Sequence, residues 1–83
     1  SSMNKLNEYA GMYHVYGDSE QLYFEHDIHG EDRSCCVYLD EEGNIYDYDM
    51  CHTIPTPVGQ WLFSNGYNVE YRRDEHGAWW DFV

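Results

Sequence analysis

The segment "NIYDYDM", residues 44–50, carries two carboxylates at alternate positions. Side chains of a strand point alternately to its two faces. Asp47 and Asp49 are therefore predicted to share one face, with Tyr46, Tyr48 and Met50 on the other. Residues i and i+2 of a strand lie roughly 6.8 Å apart. Carboxylates at that spacing can imitate phosphates, since DNA also carries negative charges spaced by several ångströms along each strand.

Further carboxylates surround this segment. "QLYFEHDI", residues 21–28, offers Glu25 and Asp27 two positions apart, and the turns "HGED" and "DEEGN" extend the negative surface. Eleven acidic residues in this central part of the chain are opposed only by Arg33. The candidate partner-binding residues are Glu25, Asp27, Glu31, Asp32, Asp40, Glu41, Glu42, Asp47 and Asp49.

The charge of the whole chain narrows the class of partner. Its 83 residues include 16 acidic and 4 basic ones, for a formal net charge of -12. Nucleic acid and anionic membranes are disfavoured as partners, whereas a basic protein surface or a cation is favoured. Carboxylates that only solubilise a Tyr-rich domain are the alternative, but surfaces that serve solubility usually mix both signs.

Metal binding and catalysis receive less support from the sequence. Residues of metal-binding type occur in three pairs: His26 and His29, Cys35 and Cys36, and Cys51 and His52. Their spacing fits no familiar zinc site, and on a strand His26 and His29 would point to opposite faces. An EF-hand loop counted from Asp40 fails, because its sixth and twelfth residues are Ile45 and Cys51. The sequence has no phosphate loop, nucleophile elbow or HExxH, so we expect neither a cofactor nor an enzyme.

Strands must position these carboxylates, and period-two patterns dominate from Met12 onward. Strands are predicted in "MYHVY", "QLYFEHDI", "SCCVYL", "IYDYDM" and "AWWDFV", separated by turns that contain glycine. The spacing of Leu6, Tyr9, Ala10 and Tyr13 fits a short N-terminal helix between Asn4 and Gly11. We predict one mainly β domain over residues 1–83, an antiparallel sheet of consecutive hairpins, with the N-terminal helix as an open addition.

The stretch 57–66 fits two structures. It can form a helix with Thr56 as cap, Pro57 at the first position, and Val58, Trp61 and Leu62 buried. It can instead form part of a hairpin around Asn65-Gly66, which the alternation after it favours. The predicted core is Leu22, Phe24, Ile28, Val37, Leu39, Tyr46, Tyr48, Trp61, Phe63, Val69, Tyr71, Trp80 and Phe82.

The ends and the cysteines suggest where the protein acts. We expect residues 1–2, which precede Met3, to be a remnant of a tag. No apolar run reaches the roughly 20 residues that span a bilayer. Three cysteines, two of them adjacent, favour reduced thiols and a cytoplasmic setting.

In size, charge and carboxylate-bearing strands and turns, the chain resembles small phage-encoded inhibitors of the anti-CRISPR and anti-restriction class, several of which mimic DNA. The resemblance implies the cytoplasm of a bacterial host cell, stoichiometric binding and no cofactor. The expected partner is a basic nucleic-acid-binding protein, such as a CRISPR effector subunit or a nuclease, and we expect a monomer. The alternatives are an immunity or antitoxin-like protein that neutralises a basic nuclease or toxin, a small metal-binding protein, and an oligomerisation module.

Overall fold

The computed structural model describes residues 6–50 and 53–83, where the chain forms seven strands and one helix. The elements are β1 (Leu6–Ala10), β2 (Tyr13–Gly17), β3 (Gln21–His26), β4 (Gly30–Leu39), β5 (Ile45–Asp49), α1 (Thr56–Ser64), β6 (Val69–Asp74) and β7 (Gly77–Phe82). The first five strands form one antiparallel sheet in chain order, and β6 pairs with β7 in a separate hairpin. The prediction of a mainly β architecture built from consecutive hairpins is confirmed.

The N-terminal segment is a strand, so the predicted helix there is wrong. β1 pairs with β2 from Leu6 opposite Gly17 to Ala10 opposite Tyr13, which leaves Gly11 and Met12 as a two-residue turn. Gly11 has a φ of 61°, and glycine at the first central position is the preference of a type II′ hairpin turn. An isolated helix of this length is marginal in water, whereas pairing with β2 satisfies the backbone of the segment. The proposed cap, Asn4, lies outside the described residues.

The stretch 57–66 is helical, and the hairpin predicted around Asn65-Gly66 is wrong. Gly66 adopts a φ of 84° and donates its N–H to the carbonyl of Phe63 at 3.1 Å. The N–H of Tyr67 reaches the carbonyl of Leu62 at 3.0 Å. These two bonds form a Schellman motif, so the left-handed glycine ends the helix instead of turning a hairpin.

The helix start also differs from the prediction. Pro55 is the N-cap residue, in an extended conformation, and Thr56 is already helical and makes no side-chain capping bond. Val58, Trp61 and Leu62 are buried as predicted. They place one stripe of the helix against the sheet.

The core lies between α1 and one face of the five-stranded sheet. Its buried residues are Ala10, Tyr13, Val15, Leu22, Phe24, Cys35, Val37, Leu39, Ile45, Ile54, Val58, Trp61, Leu62 and Val69. Among the predicted core residues, Trp80 and Phe82 are half-buried. The exposed ones, for which the prediction was wrong, are Ile28, Tyr46, Tyr48, Phe63 and Tyr71.

Two of these errors have clear local causes. Ile28 lies in the turn after β3, where the alternation has ended. Tyr46 lies at a shift in the β4–β5 register, where the bulge interrupts the alternation.

Candidate protein-binding face

The sheet face turned away from α1 carries most of the side chains that can meet a partner. Residues directly opposite each other on antiparallel strands share a face. The register opposes Tyr16 to Tyr23, Tyr23 to Cys36, and Cys36 to Asp49, so one row of side chains crosses from β2 to β5. We call this surface the outer face. Its residues are Asn7, Tyr9, His14, Tyr16, Gln21, Tyr23, Glu25, Cys36, Tyr38, Asp47 and Asp49.

Aromatic rings form a continuous row on this face. The rings of Tyr9 and His14 stack with centroids 5.0 Å apart, and His14 lies 5.0 Å from Tyr16. Tyr16 meets Tyr23 edge to face at 5.2 Å. The imidazole Nε2 of His14 is also hydrogen-bonded to the side-chain oxygen of Asn7. This ring row, Tyr9–His14–Tyr16–Tyr23, extends over three adjacent strands.

Three of the nine candidate carboxylates lie on the outer face. Asp47 lies opposite Tyr38 and Asp49 opposite Cys36, so the predicted placement of both aspartates on one face is confirmed. Glu25 lies opposite His14 on β2. Tyr48, which was predicted to pack into the core from the other face of β5, is only partly covered. Its ring stacks on Phe82 with centroids 4.3 Å apart, but the residue stays 52% exposed.

Asp27 lies one residue beyond the end of β3, and its place beside Glu25 on one face stays a prediction. β3 ends at His26, and the chain then turns. The Nδ1 atom of His26 accepts the backbone N–H groups of Ile28 and His29, both at 3.1 Å. This pair of bonds closes the turn, and the N–H of Asp27 donates to the carbonyl of Met12 at 2.9 Å, which keeps Asp27 next to the β1–β2 turn.

The remaining candidates occupy the two ends of the sheet. Asp27 lies in the β3–β4 turn and Glu31 and Asp32 at the start of β4, whereas Asp40, Glu41 and Glu42 lie at the β4–β5 turn. The eight residue steps from Asp32 to Asp40 along β4 separate the two groups by about 26 Å. The nine candidate carboxylates therefore form three groups, one on the outer face and one at each end of the sheet.

Asp40 has a structural role in its turn. Its Oδ1 atom accepts the backbone N–H groups of Glu42 at 3.0 Å and Asn44 at 2.9 Å. Substitution of Asp40 would therefore disturb the turn as well as the charge.

Two acidic residues that the site prediction left out join the β4–β5 end. The N–H of Leu39 donates to the carbonyl of Glu20 at 2.8 Å, which brings the β2–β3 turn beside the β4–β5 turn. Asp18 lies in the same turn, where its carboxylate accepts the N–H of Glu20. The order of strands in a meander was the available signal, since alternate turns of a meander lie at the same end of the sheet.

The described arginines lie off the outer face. Arg72 contacts both Glu70 and Asp81 on the β6–β7 hairpin, so its positive charge is already paired there. Arg73 lies over the ring of Tyr71 at 6.0 Å, on the same hairpin. Arg33 lines a groove with the buried Tyr13 and Cys35, which belong to the helix side of the sheet. Within residues 7–50 and 53–83, the outer face carries no lysine or arginine.

The pKa values of Cys36, Tyr16 and Tyr38 on the outer face are raised, which favours their protonated forms. Burial raises the pKa of the Cys36 thiol, and the charge of Asp49 raises it further. Burial and the nearby Glu25 raise the pKa of Tyr16. The pKa of Tyr38 is raised by its hydrogen bond with Cys36 and by their charge interaction. A thiol kept protonated is a poor nucleophile and a poor metal ligand, so these residues favour a binding surface over a reactive centre.

The sequence pairs of possible metal ligands are arranged differently from the prediction. The rings of His26 and His29 lie 4.9 Å apart instead of on opposite faces, because His29 belongs to the turn. Among the described residues, no group of three or more His, Cys, Asp or Glu side chains is arranged to hold a metal ion. Cys51 and His52 lie outside the described residues.

Comparison with models of known protein families, with curated protein sequences and with solved structures finds no match to this chain. Within the described part of the chain, no helix has the length and apolar character needed to cross a membrane. Function must therefore be inferred from the geometry of the outer face and its acidic ends.

Proposed function

We propose that the protein is an acidic inhibitor that imitates nucleic acid and blocks the basic DNA-binding surface of a bacterial defence complex, of the anti-CRISPR or anti-restriction type. One observation carries the proposal. Glu25, Asp47 and Asp49 stand on a sheet face without a described lysine or arginine, while Arg72 is paired with carboxylates on the separate β6–β7 hairpin. Charge separation of this kind suits a partner surface rich in lysine and arginine.

The fold supplies the rigidity that mimicry requires. Asp47 and Asp49 lie on a strand paired to β4, so their separation is fixed before the partner arrives. Acidic groups at both ends of β4, about 26 Å apart from Asp32 to Asp40, lengthen the negative surface. Preorganised charges lose little conformational entropy on binding, and the net charge of -12 steers a basic partner over long range.

A capture experiment tests this function. The immobilised protein is incubated with a bacterial lysate at low salt and eluted by a salt gradient, and bound proteins are identified by mass spectrometry. We expect a nuclease or CRISPR effector subunit that duplex DNA displaces, because exposed ion pairs weaken as salt screens them. Capture of a toxin that is not a DNA-binding protein would instead support the immunity or antitoxin-like alternative, and no salt-sensitive capture would contradict the proposal.

A matched pair of variants locates the binding surface. Asp47→Asn/Asp49→Asn removes two charges from the outer face, and Asp74→Asn/Glu75→Gln removes two from the exposed hairpin turn. We expect the first variant to lose the captured partner and the second to retain it, although both have the same net charge. Equal retention by the two variants would show that the face of β5 is not the binding site.

A further inference from the structure

The ring row is a continuous, accessible aromatic surface on the outer face. Its four members are neighbours in space at centroid distances of 5.0 to 5.2 Å, although they come from three strands. Tyr9 is 63% exposed and Tyr16 is 36% exposed. Among the described residues, the chain buries its helix against the opposite face of the sheet, which leaves these rings accessible to a partner.

Carboxylates border the same rings. Glu25 lies opposite His14 and acts electrostatically on the phenol of Tyr16. Asp49 lies two strands from Tyr23, with Cys36 between them in the same row, and all three side chains line one surface groove. Ring faces beside carboxylates are the environment that a guanidinium group prefers, because its plane stacks on a ring while its N–H groups donate to carboxylate oxygens. The ammonium group of lysine makes the ion pair without the planar stack.

Self-association through this face is opposed by charge. Two copies would bring together faces that carry Glu25, Asp47 and Asp49 without a described lysine or arginine to offset them. Like charges placed opposite each other at an interface repel and so disfavour that pairing. The charge of the face therefore selects a basic occupant over a second copy of this chain.

We propose that the ring row receives arginine side chains of a basic partner protein, with Glu25 and Asp49 pairing with the same guanidinium groups. The inference rests on the proposed function and adds to it that the partner is recognised through arginine in preference to lysine. A face that only imitated phosphates would accept both cations on the basis of charge.

Two peptides of equal length and charge, an oligo-arginine and an oligo-lysine, test the proposal by calorimetric titration of the full chain. Tyr16→Thr/Tyr23→Thr removes two rings and keeps β-branched residues in the strands, while Tyr46→Thr removes an exposed ring outside the row. We expect the wild type to bind oligo-arginine more tightly. The double variant should lose about two- to fivefold in arginine affinity for each ring, with little change for oligo-lysine and no change in Tyr46→Thr.

Tyr9→Thr gives a second variant if the double variant fails to fold, because Tyr9 is highly exposed on an edge strand. Equal affinities of the two peptides, or a double variant that binds oligo-arginine like wild type, would overturn the role of the ring row. Sedimentation that shows a dimer abolished by the tyrosine substitutions would also overturn it. Failure of the proposed function would give a different result. In that case the preference for oligo-arginine persists, but the lysate yields no partner that duplex DNA displaces.

Discussion

The side-chain amide of Asn68 pairs with the backbone of Ile45 much as a residue of a neighbouring strand would. Its Oδ1 atom accepts the N–H of Ile45 at 2.7 Å, and its Nδ2 atom donates to the carbonyl of Ile45 at 3.0 Å. The same Nδ2 atom donates to the carbonyl of Val83 at 3.1 Å. One side chain thus fastens the β6–β7 hairpin to the first residue of β5, the strand that carries Asp47 and Asp49.

Asn68→Ala should destabilise the protein by about 1–3 kcal/mol, because it leaves backbone groups of Ile45 without their partners. Urea denaturation followed by tryptophan fluorescence measures the loss. Asn44→Ala, at an exposed position, is the matched control and should change the free energy of unfolding by less than about 0.5 kcal/mol. Similar values for the two variants would show that the amide does not hold the hairpin in place.

Gly59→Ala should also destabilise, although alanine is normally about 1 kcal/mol better than glycine within a helix. A Cβ atom at this position would overlap Cγ of Trp80, so the indole must move. Overpacking of this kind typically costs about 1–3 kcal/mol. Gln60→Ala, on the exposed side of the same helix, should be neutral or slightly stabilising, and the same measurement compares them. A stabilising Gly59→Ala would show that Trp80 does not pack on this glycine.

The side chain of His26 supports the turn between β3 and β4. His26→Ala removes the acceptor of two backbone N–H groups and the ring that packs against Tyr13, and should cost about 1–3 kcal/mol. His26→Asn retains a side-chain acceptor at the start of the turn and should recover part of the loss. His29→Ala, an exposed neighbour, serves as the control. If His26→Asn is no more stable than His26→Ala, packing of the ring rather than the turn bonds explains the loss.

The strands of the main sheet were predictable from local alternation, because burial of one face imposes period two on β2, β3, β4 and β5. Local pattern failed where a longer-range contact decided the outcome. Asn65-Gly66 is a strong hairpin signal, but packing of Trp61 and Leu62 on the sheet favours a helix, and the glycine then ends that helix.

The candidate site was predictable in part for the same reason. Asp47 and Asp49 share a face by alternation alone. The ring row requires the registers of β1 with β2 and of β2 with β3, which no single segment contains. The position of Glu20 beside the β4–β5 turn likewise depends on how two hairpins assemble.

Alkaline pH should lower the free energy of unfolding by more than the increase in net negative charge alone would. Burial raises the pKa of Tyr13, Tyr16 and Tyr67 above the usual value of 10.0. The unfolded chain therefore releases these protons first, so their contribution to stability is present below about pH 10 and is lost as the pH rises further. Urea midpoints measured through this range should fall, and Tyr67→Phe should reduce the slope. A slope that is the same in Tyr67→Phe and wild type would show that the Tyr67 phenol does not contribute.

The carboxylates of the outer face should lower the stability of the protein when no partner is bound. Sixteen acidic residues against four basic ones repel one another in the folded state, and salt screens that repulsion. The wild type should therefore gain stability as monovalent salt rises. Asp47→Asn/Asp49→Asn should start at an equal or higher free energy of unfolding and gain less, because two charges of one face are gone.

Salt titrations of the urea midpoint for this variant and for Asp74→Asn/Glu75→Gln separate a local effect from one of net charge. The opposite result would be a double variant that is less stable than wild type at low salt. Asp47 and Asp49 would then stabilise the fold, and their charges would no longer indicate a partner-binding role.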